Sequence, residues 1–193
     1  MARSTVIIIM GILCWILIKW LGLGTWSIED SYKIGFLVNL AFMTIVAAVA
    51  AFESLNQPGV EVGFLNRFKI TSRIVISFAV TLVLTMGIWY FYLVPENVEK
   101  LKADRIEWIQ DAIPSEFSDP EKLKSYLEDH PELKGMETQA IIDFCIDEAT
   151  DGTNSILSPQ MFFAFAGFGW TSIALILSAI FSVIMPKIWG NTP

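Results

Sequence analysis

The stretch that decides the fold is IVISFAVTLVLTMGIWYFYLV, residues Ile74 to Val94, which contains no charged residue. An α-helix rises about 1.5 Å per residue, so roughly twenty apolar residues cross a hydrocarbon core of about 30 Å. A helix or strand of a soluble protein would interrupt such a run with polar residues at regular spacing. The stretch therefore predicts a transmembrane helix.

Three further runs of this kind lie at about residues 5–24, 34–52 and 161–185. Hydrophobic residues make up 54% of the chain and charged residues 17%, which is too apolar for an ordinary soluble domain. Lipid offers no hydrogen-bond partners to the backbone, and the runs lack the alternation of barrel strands. The predicted fold class is an all-α membrane protein with four transmembrane helices.

This pattern divides the chain into three parts. Residues 1–94 contain the first three transmembrane helices, residues 95–159 form an insertion, and residues 160–193 contain the fourth helix and a tail. The insertion holds sixteen of the twenty acidic residues and six of the thirteen basic residues, which gives it a net charge of -10. We expect either a solvated subdomain or a charged docking face for a basic partner.

The insertion has the pattern of short helices. An apolar stripe predicts a helix from Pro95 that stops at Pro114, and Asp119 is placed to cap a second helix. The stretch TDGTNS, residues 150–155, is typical of a loop, and Ser158 with Pro159 predicts the start of the last span. The apolar residues expected to face inward are Leu123, Tyr126, Leu127, Leu133, Met136, Ile141, Ile142 and Cys145.

Basic residues indicate the orientation. The side with both termini and the turn between the second and third spans carries five Lys or Arg, against two, Lys19 and Lys33, in the other short loop. Because such residues resist translocation, the termini are predicted in the cytoplasm and residues 95–159 outside it. The turn, with Pro58 and Gly59 before it, is also placed to contact anionic lipid. The five residues are Arg3, Arg67, Lys69, Arg73 and Lys187.

Small residues at helical spacing predict where the spans pack, since close backbone approach drives helix association in lipid. These faces are expected to meet within the chain or to face another protein. Their members are Gly167, Thr171, Ala174, Ser178 and Ser182 on the fourth span, Ser77, Thr81 and Thr85 on the third, and Ala47 and Ala51 on the second.

Polar and aromatic residues in the spans suggest anchoring roles. Lys19 is close enough to the end of its helix to extend to the membrane surface, and Asn39 is expected to form an interhelical hydrogen bond. Most tryptophans lie near predicted span ends, which is typical of aromatic belts. Trp108 is an exception in the acidic insertion, where packing on the helices is favoured and partner binding is the alternative.

No catalytic set of residues is recognisable. The only histidine, His130, has Glu128, Asp129 and Glu132 around it, but side chains this close on a helix end point in different directions. We therefore expect no metal site, and the chain has no phosphate loop, dinucleotide fingerprint or nucleic-acid-binding stripe. No cofactor is predicted. Trp108, Glu128 and Asp129 are the candidates for binding a protein partner.

The order of these features resembles a known family. The segment GFLNRF, Gly63 to Phe68, leads into the third span, which closes in YFYLVPENVEKL, Tyr90 to Leu101, before a charged helix and a last span ending near Lys187. In this the chain is similar to the small bacterial inner-membrane proteins catalogued as domain-of-unknown-function family 4199. The resemblance extends over nearly the whole chain and implies a bacterial inner membrane. It supplies no catalytic residues.

Two functions remain open on this basis. The first is a non-enzymatic accessory or scaffold subunit that contacts lipid and binds another envelope protein, or itself, through the acidic helices or the small-residue faces. The second is a small transporter or channel formed by homo-oligomerisation, in which Asn39 and the stripe of Ser77, Thr81 and Thr85 would face water.

Overall fold

The computed structural model describes residues 3–55 and 63–189. Over these residues the chain forms helices and no strand, as the sequence predicts. A π-helical turn, Trp89–Leu93, follows the third helix, and a 3-10 turn, Pro131–Leu133, follows the fifth. The α-helices are α1 (Arg3–Gly22), α2 (Ile28–Leu55), α3 (Phe64–Ile88), α4 (Pro95–Phe117), α5 (Pro120–Asp129), α6 (Thr138–Ile156) and α7 (Pro159–Trp189).

Within residues 3–55 and 63–189, four helical segments are long and apolar enough to cross a membrane: α1, α2, α3 with its π-helical turn, and α7. They coincide with the four predicted runs and indicate a multi-pass membrane protein. The chain divides into two compact units. We call residues 3–55, 63–89 and 163–189 the membrane unit and Tyr90–Phe162 the acidic unit.

The helices extend beyond the predicted spans. The turn predicted between the second and third spans included FLNRFKITSR, residues 64–73 with Arg67, Lys69 and Arg73, but this stretch forms the first turns of α3. The reason is that hydropathy marks the segment suited to lipid, whereas helical hydrogen bonding continues until a breaker intervenes. That point is Gly63, which has an extended backbone with φ -72° and ψ 147°. Pro58 and Gly59 lie outside the described residues.

Neighbouring helices of the membrane unit run in opposite directions. The main-chain N–H of Ser4, at the start of α1, donates to the Glu53 carboxylate near the end of α2 at 3.1 Å. Arg67 at the start of α3 donates from Nε to the Ser182 carbonyl near the end of α7 at 3.3 Å. At the other end of these two helices, the ring of Phe163 lies on Gly87. Phe52 near the end of α2 contacts Trp189 at the end of α7, with ring centroids 5.3 Å apart, so the start of α1 and the end of α7 lie at the same end of the unit.

The core of the membrane unit lies between α2, α3 and α7, and α1 packs against it. The predicted small residues contribute in part: Ala47, Ala51, Ala174, Ser178 and Ser182 are buried, while Gly167 and Thr171 are half-buried. The rest of the core consists of larger apolar side chains, including Met43, Val46, Val75, Phe78, Leu82, Val83 and Trp170.

The small-residue face predicted for α3 is not its packing face. Ser77 and Thr81 are exposed and Thr85 is half-buried. Each hydroxyl donates to the carbonyl four residues earlier at 2.8 Å, so the helix itself satisfies these groups. α3 packs instead through the opposite face, which includes Phe78 and Leu82. The prediction that this stripe packs within the chain is therefore wrong.

In the acidic unit, α4, α5 and α6 surround a small apolar cluster. Asp119 caps α5 as predicted, since its carboxylate accepts from the Glu121 main-chain N–H at 3.0 Å. Ser158 similarly accepts from the Met161 main-chain N–H at 3.4 Å at the start of α7. The cluster is formed by Leu133, Ile141 and Cys145, with Ile113, Phe117, Leu123, Tyr126 and Leu127 packed against it.

Three local predictions for this unit are wrong. α4 passes through Pro114, because a proline this near the helix end removes one hydrogen bond while Phe117 gains a place in the cluster. α6 includes residues 150–155, where the buried Thr153 donates its hydroxyl to the Ala149 carbonyl at 2.9 Å. Met136 is exposed, since it follows a turn at Gly135 with φ +96°.

Candidate functional site

Lys19 lies buried between α1 and α2. Its side chain is 2% exposed, and its ammonium donates to the main-chain carbonyl and the hydroxyl of Ser31, the latter at 3.0 Å. The Nζ atom lies 5.7 Å from the ring centroid of Trp15 and 5.6 Å from that of Tyr32, within the range of a cation–π interaction. The α1–α2 hairpin thus surrounds the positive charge of its own Lys19 with oxygen acceptors and aromatic rings.

The prediction that Lys19 extends to the membrane surface is therefore wrong. α1 ends at Gly22, three residues beyond the lysine, and α2 begins at Ile28. The short connection brings Ser31 back over the ammonium, so oxygen acceptors are available inside the protein. The position near the C-terminus of α1 also favours a positive charge because of the helix dipole.

Gly35 makes room for this lysine. A Cβ atom at Gly35 would lie 2.7 Å from Cε and 2.8 Å from Nζ of Lys19, and 3.3 Å from Nε1 of Trp15. Only a glycine fits without moving the side chains opposite. In the sequence, Gly35 is one small residue in an apolar run, and nothing in that run indicates which residue it faces.

Asn39 lies one helical turn beyond Gly35 and is buried. Its Nδ2 donates to the sulfur of Met86 on α3 at 3.6 Å, which confirms the predicted interhelical hydrogen bond. Trp15 contacts Trp89 edge to face, with centroids 5.9 Å apart. Trp15, Trp89 and also Trp170 are buried in the protein, so the aromatic-belt prediction is wrong for these three residues.

A second candidate site is an open groove in the acidic unit, with a cavity volume of about 540 Å³. Phe117 of α4 and Tyr126 of α5 line it, with ring centroids 5.0 Å apart. His130 stacks on Tyr126 at 4.3 Å. The sulfur of Cys145 on α6 lies 3.3 Å from the Tyr126 hydroxyl oxygen, within hydrogen-bond distance. The groove therefore has an aromatic floor with rings from α4 and α5, beside the Cys145 sulfur from α6.

The rim of this groove is acidic. Glu116, Asp129 and Glu148 line it from α4, α5 and α6, together with Lys122. Lys122 lies 3.7 Å from Glu116, an exposed pair that contributes little to stability. In the described part of the chain, neither Asp129 nor Glu148 forms an ion pair with a lysine or arginine. We call this cavity, with its aromatic floor and carboxylate rim, the acidic groove.

The environment of Tyr126 reflects this charge. The hydrogen bond with Cys145, then burial and the negative charges of Glu148 and Glu132, raise the pKa of Tyr126 from 10.0 to about 12. Because the pKa in the folded state lies above the unfolded value, the resulting stabilisation is complete below pH 10. It is lost as the pH rises through 12.

We expect Cys145→Ala to lower the pKa of Tyr126 toward 10, because the largest cause of the shift is removed. An ultraviolet titration of tyrosinate absorbance measures this, with Tyr126→Phe identifying the step that belongs to Tyr126. Cys14→Ala is the matched control, since Cys14 lies on α1, and it should leave the profile unchanged. An unaltered Tyr126 step in Cys145→Ala would contradict the assignment.

The remaining predicted binding residues lie in different surroundings. Asp129 lines the acidic groove, and Glu128 is exposed on α5 beside a smaller cavity. Trp108 on α4 is 56% exposed, and the Arg105 guanidinium lies 4.4 Å from its ring centroid. Phe117 and Glu148 were not predicted as groove residues, whereas helical spacing had placed Tyr126 and Cys145 on inward faces there.

Of the predicted lipid-contact residues, Lys69, Arg73 and Lys187 are exposed. Arg67 is half-buried because its guanidinium reaches α7, as described above. The Nδ1 atom of His130 lies 3.3 Å from the Glu132 carboxylate. Among residues 3–55 and 63–189, no group of three or more His, Cys, Asp or Glu side chains is arranged to hold a metal ion.

Comparison with known proteins gives no match: no family model fits the chain, and no curated protein and no solved structure is similar to it. A function is therefore proposed from the residues of this chain alone.

Proposed function

We propose that this integral membrane protein is a non-enzymatic accessory or scaffold subunit that binds another envelope protein through its acidic unit. The proposal rests on the surface of that unit, where exposed apolar side chains lie among sixteen acidic residues. Exposed apolar groups surrounded by charge are typical of protein-binding surfaces. The largest of them beyond the span that ends at Leu93 are Trp108, Met136, Phe144 and Ile156.

We place this subunit in a bacterial inner membrane with both termini in the cytoplasm and residues 95–159 outside it. The five-to-two distribution of Lys and Arg in the short flanking segments supports this orientation. The resemblance to domain-of-unknown-function family 4199 supports the bacterial location. In this arrangement the negative charge of the acidic unit faces the envelope.

A cysteine-labelling experiment tests this orientation in a background of Cys14→Ala and Cys145→Ala. Asp143 on α6 and Asn66 on α3 are both exposed. We expect Asp143→Cys to react with a membrane-impermeant maleimide in intact cells and Asn66→Cys to react only after permeabilisation. The reverse pattern would place the acidic unit in the cytoplasm.

Trp108 offers a direct test of partner binding, because exposed tryptophans often become dominant contacts in complexes. We expect the wild-type protein, purified in mild detergent, to retain a stoichiometric partner measurable by mass spectrometry. Trp108→Ala should lower recovery of that partner at least about tenfold, corresponding to roughly 1.4 kcal/mol. Trp20→Ala is the matched control, since Trp20 is also more than half exposed but lies on α1. A wild-type chain that purifies alone contradicts the proposal.

The homo-oligomeric channel has less support. It needs Asn39 and the Ser77, Thr81 and Thr85 stripe to share one aqueous surface. Asn39 is buried against Met86, whereas Ser77 and Thr81 are exposed and satisfied by their own helix. These side chains do not form a common polar face within one chain.

A further inference from the structure

We infer that the acidic groove docks a basic segment of the partner protein, one that presents an apolar or aromatic side chain flanked by Lys or Arg. This rests on the proposed function, since it assigns the surface that the partner occupies. The location is specific: the groove lies between α4, α5 and α6, and Trp108 does not line it.

The shape of the groove suits a bulky side chain. Its volume of about 540 Å³ lies within the roughly 300–1,000 Å³ typical of binding clefts. Phe117 and Tyr126 provide ring faces, and Ile113 and Ala149 add apolar surface beside them. An aromatic or aliphatic side chain would lose its water on entering without leaving an unpaired polar group. This favours a peptide anchor over a small polar solute.

The negative charge of the rim favours a peptide in which positively charged residues flank the anchor side chain. Asp129 and Glu148 have no basic partner among the described residues, and they stand on different helices. A segment with two cations could therefore reach both carboxylates. The hydrogen bond with Cys145 and burial are the main causes of the raised pKa of Tyr126, and the charge of Glu148 adds to them. The ring faces of Phe117 and Tyr126 also attract cations.

The chain's own basic segment is a poor occupant. Arg67, Lys69 and Arg73 lie on the first turns of α3, which the proposed orientation places on the cytoplasmic side. A separate protein in the envelope is therefore the occupant to which the charge complementarity points. Complementary charge of this kind contributes chiefly to specificity and to the association rate.

The test uses the full chain in detergent micelles and a fluorescein-labelled peptide with a central Trp flanked by Arg and Leu. Fluorescence anisotropy at low ionic strength measures its affinity. We expect Asp129→Lys with Glu148→Lys to weaken binding at least about tenfold. The matched control, Asp143→Lys with Asp147→Lys, changes the net charge equally on the opposite face of α6, and should cost less than about threefold.

A second variant separates shape from charge. Ser125 lines the groove and is exposed, so Ser125→Trp should fill it without altering the charge or the core. We expect binding of the Arg peptide to fall at least about tenfold here too, with helicity by circular dichroism unchanged. A peptide with Gly in place of Trp, or Glu in place of Arg, should bind at least about tenfold more weakly to the wild type.

We call Asp129→Lys with Glu148→Lys the groove pair and Asp143→Lys with Asp147→Lys the control pair. Equal losses of peptide affinity in the two variants would overturn the inference, since the electrostatic attraction would then not be specific to the groove. Co-purification separates this from failure of the proposed function. If the wild type retains a partner and the groove pair retains it equally, the groove inference fails and the function stands. If the wild type retains none, the function itself fails. A wild-type dimer that the groove pair dissociates would identify a second copy as occupant, which also overturns the inference.

Discussion

Gly35→Ala is expected to destabilise the membrane unit by about 2–4 kcal/mol, although alanine is the better helix former by about 1 kcal/mol. The new Cβ would lie 2.7 Å from Lys19 Cε, so the end of the lysine must shift and its hydrogen bonds to Ser31 are weakened or lost. Overpacking costs about 1–3 kcal/mol, and losing hydrogen bonds to a charged group costs about 1.5–3 kcal/mol. Thermal unfolding in mild detergent should show a midpoint lowered by about 5–10 °C.

A double-mutant cycle tests the cause. Lys19→Ala alone empties the space beside Gly35 and should cost about 2–4 kcal/mol. In that background Gly35→Ala should be neutral or slightly stabilising, because the side chain that it displaces is gone. The expected coupling between the two sites is about 2 kcal/mol or more, as for residues in direct contact.

Gly167→Ala on α7 is the control. Nothing lies within 4 Å of a Cβ at Gly167, so this substitution should be neutral or stabilising through helix propensity alone. If Gly35→Ala behaved like Gly167→Ala, or if Lys19→Ala left the cost of Gly35→Ala unchanged, the buried lysine would not depend on the glycine.

The spans could be predicted because each depends on its own composition. Transfer of about twenty apolar side chains into lipid is a property of the segment alone, and α1, α2, α3 and α7 coincide with the apolar runs. Caps such as Asp119 are equally local. By contrast, the start of α3 was not predicted, because charged residues indicate where the membrane begins. The helix itself continues past that boundary as far as the extended backbone at Gly63.

The Lys19 site could not be predicted because it depends on which faces of two helices meet. From the sequence, extension of the side chain to the surface is the cheaper expectation for a lysine near a helix end. Lys19 is accommodated because Ser31 returns over its ammonium, aromatic rings flank it and Gly35 leaves room for it. The acidic groove was partly predicted, since Asp129 was a candidate, but Phe117 depended on α4 passing through Pro114.

The second large effect concerns the packing face of α3. Phe78→Ala is expected to cost about 2–4 kcal/mol, because Phe78 is buried among α2, α3 and α7. The cost should fall below the full range for soluble cores, since lipid is as apolar as the protein interior and only lost packing and the cavity contribute. Thermal unfolding followed by tryptophan fluorescence in mild detergent measures the difference.

Thr81→Ala, three residues further along the same helix, is the matched control and should change stability by less than about 0.5 kcal/mol. Thr81 is exposed, and its hydroxyl donates to the Ser77 carbonyl of the same helix, so its loss leaves no group unpaired elsewhere. Substitution by a larger residue on each of the two faces distinguishes the packing face from the exposed face more sharply. Ala79→Leu should overpack the buried face at a cost of about 1–3 kcal/mol, whereas Thr81→Leu should be tolerated. If Thr81→Leu were instead the more destabilising, the small-residue stripe would be a contact face after all, and its partner would have to be another chain.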